Sequence, residues 1–557
     1  MMRFRWFAVM IVGMGVGAVA QTPGVVAAQT PEVAAAPVTV PPVYPTGAGT
    51  ALGAQIAALL ADPAVARAHW GIAVTAMDGT PLWGLEEGKM FRPASNAKLF
   101  TTAAAMQFLG PDATFKTVVR GDIDKHGTVT DLHLEGGGDA NLDSGDIPYL
   151  APSERPKNAS KPPPFRDLES LADQLIAKGV KRVTGKIEGD NNDFPWEPYP
   201  EGWEADDLVW GYGAPVSGLT IHDNQLQVTI RPGGLVPGQQ DIYYAPSPEI
   251  EQFGVPYYTF KVDALTQQKE YWSGVSVDRE PGSKVLRVHG YMAADSAPDV
   301  EEVAIDDPGL YAAMVFRNVL LKKGVVVDAA ASSYHWQLDR ADGFLSQLKD
   351  PGPCSNRIYT ALMVCSYDKL HTLIPILATH ESPTLAEDVK FTLKTSQNLH
   401  AEIMLRQLGH VTGEGNASTI DGARIVRQFL INAGLDPDDF VFYDGSGLSS
   451  HDLVTPRATA QLLAYAATQP WFAPWKSALP VGGVDGSLAS RFKYAPLKGH
   501  VYAKTGTLGE SRALSGYVDA ASGRTVIFSI LVDNHTPGSS ADRAVMDKIV
   551  AAIAAAY

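Results

Sequence analysis

Helix-and-strand texture at both ends of this chain encloses a strand-rich middle, and that order restricts the fold more than any single motif does. Near the start, residues 51–62 read as a short helix, and Ile72, Val74 and Ala76 alternate up to Asp78-Gly79, with Leu82 continuing beyond. Period-two alternation across Asp-Gly predicts a β-hairpin. A helix follows Pro93, carries Lys98-Leu99-Phe100 and Ala103-Ala104-Ala105-Met106, and stops by Gly110-Pro111. From about residue 115 strands and turns take over, interrupted by a Pro-rich loop at 151–165 and by helices at 167–178 and about 309–323. Residues 232–300, rich in Gly, Pro and Tyr, read as a separate small β unit. After about 370 helices return near 384–393, 398–408 and 456–468. A strand at 501–507, a hairpin of Leu514–Val518 with Thr525–Val532, and an Ala-rich helix at 539–556 close the chain. An α/β unit that opens, gives way and resumes predicts one domain split by a large insertion.

The ends and the composition bound the setting. Arg3 and Arg5 precede the apolar run Trp6–Val16, and Ala18-Val19-Ala20 supplies a small-x-small cleavage site, so residues 1–20 read as a signal peptide. The run is shorter than the ~20 apolar residues a span needs, and no later segment could cross a bilayer. The mature chain is therefore expected to be soluble and extracytoplasmic, with no transmembrane anchor. Residues 21–47, mostly Ala, Val, Pro and Thr, read as an extended tether. Loss of Arg3 and Arg5 takes the formal charge from −16 to −18, which argues against nucleic acid or anionic lipid as a partner. Cys354 and Cys365 could pair in an oxidising compartment, whereas a helix over 358–364 would hold them roughly 16 Å apart; both readings stay open. No zinc-type Cys/His spacing and no phosphate-cradling Gly-x-x-x-x-Gly-Lys occurs, and no cofactor or metal is expected.

The chemistry is carried by Ser95-Asn96-Ala97-Lys98. Residues three apart on a helix share a face, so an uncharged Lys98 could take the proton of Ser95 and activate it as a nucleophile. The same spelling at Ser346–Lys349, Ser366–Lys369 and Ser490–Lys493 lacks the helix-entrance context. Two later sets supply what acyl transfer needs besides a nucleophile: Ser396-x-Asn398 in a break between helices, and Lys504-Thr505-Gly506 on a strand. A hydroxyl can relay a proton to a leaving amine, an amide can hold a carbonyl, and a fixed cation can hold a carboxylate. Gly506 would let the strand approach a bound peptide, and the amides of Ser95 and Thr507 would form an oxyanion hole. Singly, each set has an ordinary reading: Ser396 and Asn398 as helix caps, Lys504 as a solvated lysine, Gly136-Gly137-Gly138-Asp139 as a turn. In order, they match the serine acyl-transferase set.

On those motifs the chain resembles the low-molecular-mass class C penicillin-binding proteins, D-alanyl-D-alanine carboxypeptidases and endopeptidases of the penicillin-binding protein 4 type. The likeness extends to Gly136-Gly137-Gly138-Asp139, Gly211-Tyr212-Gly213-Ala214-Pro215, Asp444-Gly445-Ser446-Gly447-Leu448-Ser449 and Asp485-Gly486-Ser487-Leu488. It also extends to the 301 positions separating Ser95 from Ser396, a gap far shorter in β-lactamases. The resemblance implies an α/β (α+β) serine transpeptidase/β-lactamase-like catalytic domain, an antiparallel sheet flanked by helices, at 48–116 and 366–557. It implies two nested β-rich insertions, domain II at 117–231 and 301–365 and domain III at 232–300. It further implies that Ser95 is acylated by peptidoglycan stem peptides ending in D-Ala-D-Ala, or by β-lactams, with Lys98 as base and Ser396 assisting the leaving group. Asn398 would bind the peptide, and Lys504, Thr505, Gly506 and Thr507 the terminal carboxylate. Asp207 and Tyr212 sit where relatives read the peptide side chain, while Ser450 and Gly509 replace an arginine and a glutamine. A β-lactamase or D-amino-acid esterase on the same domain, and a non-catalytic muropeptide or β-lactam sensor, are the alternatives.

Overall fold

The computed structural model describes residues 42–46, 49–144, 147–157, 163–191, 193–232, 249–266, 274–292, 296–337, 374–411 and 417–557. The leader, most of the tether, both cysteines, Ser346–Lys349 and Ser366–Lys369 lie outside the described residues. The end of the stretch read as tether does pack: Tyr44 is buried, and Gly84 N donates to Pro45 O at 3.0 Å.

The hairpin predicted at Asp78-Gly79 forms from strands His69–Ala76 and Pro81–Leu85. They join three late strands, Val501–Leu508, Ser511–Asp519 and Thr525–Asp533, in one five-stranded antiparallel sheet. His69–Ala76 pairs along its whole length with Thr525–Asp533, Ile72 opposite Ile530, so the two ends of the chain close a single sheet. Strand Thr525–Asp533 is buried at every interior position. Alternation explains this: Val526, Phe528, Ile530 and Val532 face the helix Ala541–Ala556 and Leu52 and Ile56 of Ala51–Leu60. Ile527 and Leu531 face the helices Ala97–Phe108 and Pro456–Ala466 on the other side. A strand covered on both faces reads as a near-continuous apolar run, interrupted here at Ser529.

The inserted part leaves and returns on neighbouring strands. Lys116–Arg120, just after the helix Ala97–Phe108, pairs antiparallel with Ile376–Glu381, just before the helix Leu385–Thr395. Both belong to a second five-stranded sheet, completed by Leu132–Gly136, Lys186–Asp190 and Ala330–Tyr334, whose last two pairings are parallel. Helices Arg166–Ala177 and Pro308–Lys322 bury Leu168, Leu171, Leu175, Phe316 and Leu320 against Leu132, Leu134 and Ile187. Within this excursion lies another: Gln225–Arg231 pairs with Asp299–Ala304, and the chain between them supplies the three-stranded sheet of Thr259–Thr266, Val285–Tyr291 and Gly274–Asp278. Val228, Val277, Leu286 and Val288 share one hydrophobic cluster with Leu134 and Leu168.

Candidate active site

Ser95 lies in a tight 3₁₀ turn, Ala94–Asn96, that leads into the helix Ala97–Phe108 rather than in that helix's own first turn. Ala94 has φ +45°, a left-handed conformation that a non-glycine residue holds only when its surroundings enforce it. Two glycines make the enforcement possible. A Cβ at Gly447 would lie 1.8 Å from Ala94 O, and one at Gly506 would lie 2.8 Å from Pro93 O. The glycine of Lys504-Thr505-Gly506 thus makes room for the turn that carries Ser95. The turn is pegged to the central sheet by Asn96, fully buried, whose Nδ2 donates to Ser515 Oγ at 2.7 Å; that hydroxyl is 2.9 Å from Ser529 Oγ.

Lys98 is fully buried and its Nζ has three acceptors: Ser95 Oγ at 3.0 Å, Asn398 Oδ1 at 2.6 Å and Ser446 O at 2.7 Å. A neutral amine has two hydrogens and one lone pair. Donating to the two closer, obligate acceptors leaves the lone pair for the Ser95 hydroxyl. Burial pushes the Lys98 pKa down to about 7, against the opposing pull of Asp444, Glu402 and Asp452.

Those carboxylates explain the Asp444-Gly445-Ser446-Gly447-Leu448-Ser449 stretch. Asp444 accepts from the backbone amides of Ser446, Gly447 and Ser449 at 3.1, 2.7 and 2.6 Å, and from Trp203 Nε1 at 2.9 Å. Glu402 accepts from Gly445 N at 3.0 Å and Ser446 N at 2.7 Å. The turn is wound around two buried carboxylates, which aims the Ser446 carbonyl at Lys98. Glu402 and Asn96 were not singled out by the sequence. The available signal for Glu402 was its position four residues after Asn398, on the same helix face.

Ser396 and Asn398 do not cap the following helix with their side chains. Gln397 does so, its Oε1 accepting from Leu399 N at 3.0 Å. Ser396 ends the preceding helix at φ +66°. Its Oγ accepts from Lys504 Nζ at 2.8 Å, and Asn398 Nδ2 donates to Tyr212 O at 2.8 Å. Tyr212 belongs to the inserted part, so that part holds the amide whose other end touches Lys98. A second tie lies two residues along: His400, fully buried, sits between Asp388 (2.5 Å) and Asp223 (3.1 Å). Burial opposes charge on this imidazole, but the two carboxylates outweigh it and raise its pKa to about 10.

Lys504 is not a solvated strand lysine. It is fully buried and donates to Ser396 Oγ and to Thr505 O at 2.8 Å each, so that in its charged form a third N–H is left for a ligand. Burial and then the neighbouring Lys98 hold its pKa well below the ordinary lysine value, so a bound carboxylate would favour its charged form. Thr505 is half-buried and Thr507 exposed on the same strand. At the rim, Tyr212 is 50% exposed and its hydroxyl donates to Asp207 Oδ1 at 2.8 Å. Burial, then Asp206 and Glu204, raise the Asp207 pKa against that hydrogen bond. Ser450 Oγ donates to Gly202 O at 3.2 Å. Gly509, at φ +45°, makes the tight turn between Val501–Leu508 and Ser511–Asp519. Ser490 and Lys493 are both exposed, away from this buried set.

A family model, the D-Ala-D-Ala carboxypeptidase 3 (S13) family, matches residues 52–342 and 371–556. The D-alanyl-D-alanine carboxypeptidase of Actinomadura sp. (strain R39) is 30% identical over 517 residues, 91% of this chain and 85% of the relative. Penicillin-sensitive carboxypeptidase A of Dictyostelium discoideum is 25% identical over 508 residues, 86% of each chain. The crystal structure of penicillin binding protein 4 (dacB) from Haemophilus influenzae superposes with a TM-score of 0.69 at 21% identity, covering 89% of this chain and 97% of that one. The fold and the family are those of a serine-type peptidase. The chain belongs to the D-Ala-D-Ala carboxypeptidase 3 (S13) family.

Proposed function

We propose that this chain is a serine DD-peptidase of the extracytoplasmic space that trims or cuts peptidoglycan stem peptides and is trapped by β-lactams. What supports the reading is the convergence of three motifs on two buried lysine side chains: Lys98 touches Ser95 and Asn398, and Lys504 touches Ser396. Ser95 Oγ attacks the carbonyl of the penultimate D-alanine while its proton passes to Lys98 Nζ. The amides of Ser95 and Thr507 stabilise the resulting oxyanion. Collapse of the tetrahedral intermediate breaks the peptide bond, and the proton that Lys98 received passes through Ser396 to the leaving amine, which returns Lys98 to its neutral form. Water, deprotonated by the same Lys98, then cleaves the ester and restores Ser95. Lys504, Thr505 and Thr507 hold the terminal carboxylate, Asn398 holds the peptide, and Asp207 and Tyr212 meet its side chain. The catalytic unit comprises 48–116 and 366–557, interrupted by domain II (117–231 and 301–365) and domain III (232–300), after a leader at 1–20. Among the described residues no helix is long and apolar enough to cross a membrane.

Mass spectrometry of purified muropeptides after incubation with the mature chain tests the reading. Loss of one alanine marks carboxypeptidase action and conversion of dimers to monomers marks endopeptidase action; unchanged muropeptides would overturn it. The pH dependence tests the base. Lys98 accepts a proton only when neutral, so acylation by a penicillin is expected to fall about tenfold per unit as pH drops below about 7. A flat profile across that range, by stopped-flow or quenched labelling, would remove Lys98 from the role.

A further inference from the structure

We infer that Ser487 is a positioning residue for the substrate carboxylate: its hydroxyl donates to Thr505, so that the Thr505 proton is turned toward the ligand. The inference rests on the function proposed above. Ser487 Oγ and Thr505 Oγ1 are 2.7 Å apart, and either could be the donor. A threonine hydroxyl has one proton and two lone pairs. If Thr505 gave its proton to Ser487, it would present only lone pairs to an incoming carboxylate, a repulsive arrangement. If Ser487 donates instead, Thr505 keeps its proton for the ligand, and Ser487, being exposed, leaves its own lone pairs to water.

The neighbouring threonine is already in this state. Arg512 Nη1 lies 2.8 Å from Thr507 Oγ1, and a guanidinium can only donate. Thr507 therefore accepts, and its proton is free. The two threonine hydroxyls on Val501–Leu508 are thus each approached by an outside group able to donate, one arginine and one serine.

The turn bearing Ser487 is built to hold this position. Asp485 accepts from the buried Lys394 Nζ at 2.7 and 2.6 Å and from Val481 N at 2.9 Å. Gly486 N donates to Tyr149 Oη at 3.0 Å. A Cβ at Gly486 would lie 2.9 Å from Lys394 O, two residues before Ser396. The same ion pair thus fixes both the end of the helix carrying Ser396 and the hydroxyl that orients Thr505.

The test compares acylation of the parent, Ser487→Ala and Ser487→Thr by a penicillin and by its carboxyl methyl ester. For Ser487→Ala the acylation rate constant with the free acid is expected to fall about tenfold, that with the ester to stay within about twofold, and Ser487→Thr to recover most of the difference. Peptide turnover should show the loss chiefly in KM. Equal losses with acid and ester, failure of Ser487→Thr to recover the acid rate, or no loss at all would overturn the inference. Absence of any labelling of the parent would instead overturn the function on which it rests.

Discussion

Ser95→Ala will lose covalent labelling by fluorescent penicillin entirely, while Ser346→Ala, Ser366→Ala and Ser490→Ala label like the parent. The reason is positional. Ser95 has a buried amine 3.0 Å away whose other two contacts are fixed, and whose burial lowers its pKa to about 7, so that a neutral fraction is available near neutral pH. Ser490 is exposed and its lysine is solvated, so nothing there lowers the cost of removing a hydroxyl proton. Ser95→Ala removes one exchangeable hydroxyl and leaves Lys98 with Asn398 and Ser446, so the fold should persist and circular dichroism should match the parent. Labelling that survives in Ser95→Ala would sink the assignment of the nucleophile.

Asp485→Ala is expected to cost about 3–5 kcal/mol of stability, read as a lower urea midpoint. Lys394 is 2% exposed, and without Asp485 it retains only Leu479 O, at 2.7 Å. Removing one partner strands a buried ammonium, which is far more costly than losing an exposed pair. The double variant Lys394→Met, Asp485→Leu should recover much of the loss, because two apolar side chains leave no charge uncompensated. A single variant as stable as the parent would show that the pair contributes nothing.

Local patterns carried most of the fold into the sequence. The Asp78-Gly79 hairpin, the helix after Pro93 and the last hairpin follow from periodicity and turn chemistry, which act over a few residues. The pairings of Ile187 with Leu132 and with Ala331 did not, because parallel neighbours are chosen by packing between distant segments. In the site, Ser95, Lys98, Ser396, Asn398 and Lys504 were legible as types at recognisable spacings. Asn96, Glu402 and Ser515 were not: a buried polar side chain is identified by its partner, and these partners lie tens to hundreds of residues away. Gly506 was read as room for a peptide because only the fold reveals the Pro93 carbonyl behind it.

The pairing of His69–Ala76 with Thr525–Asp533 sets an order of events in folding. The strand that begins the central sheet has no partner to its other side until more than four hundred further residues have been made, the inserted sheets among them. Closing so long a loop is slow, whereas the inserted strands and helices can pair among themselves sooner. Ser95 and Lys98 are synthesised early but stay unshielded until Lys504 and its strand arrive. The site is therefore complete only once the strand carrying Lys504 has been made, and a chain cut short before it lacks the partner of Ser396.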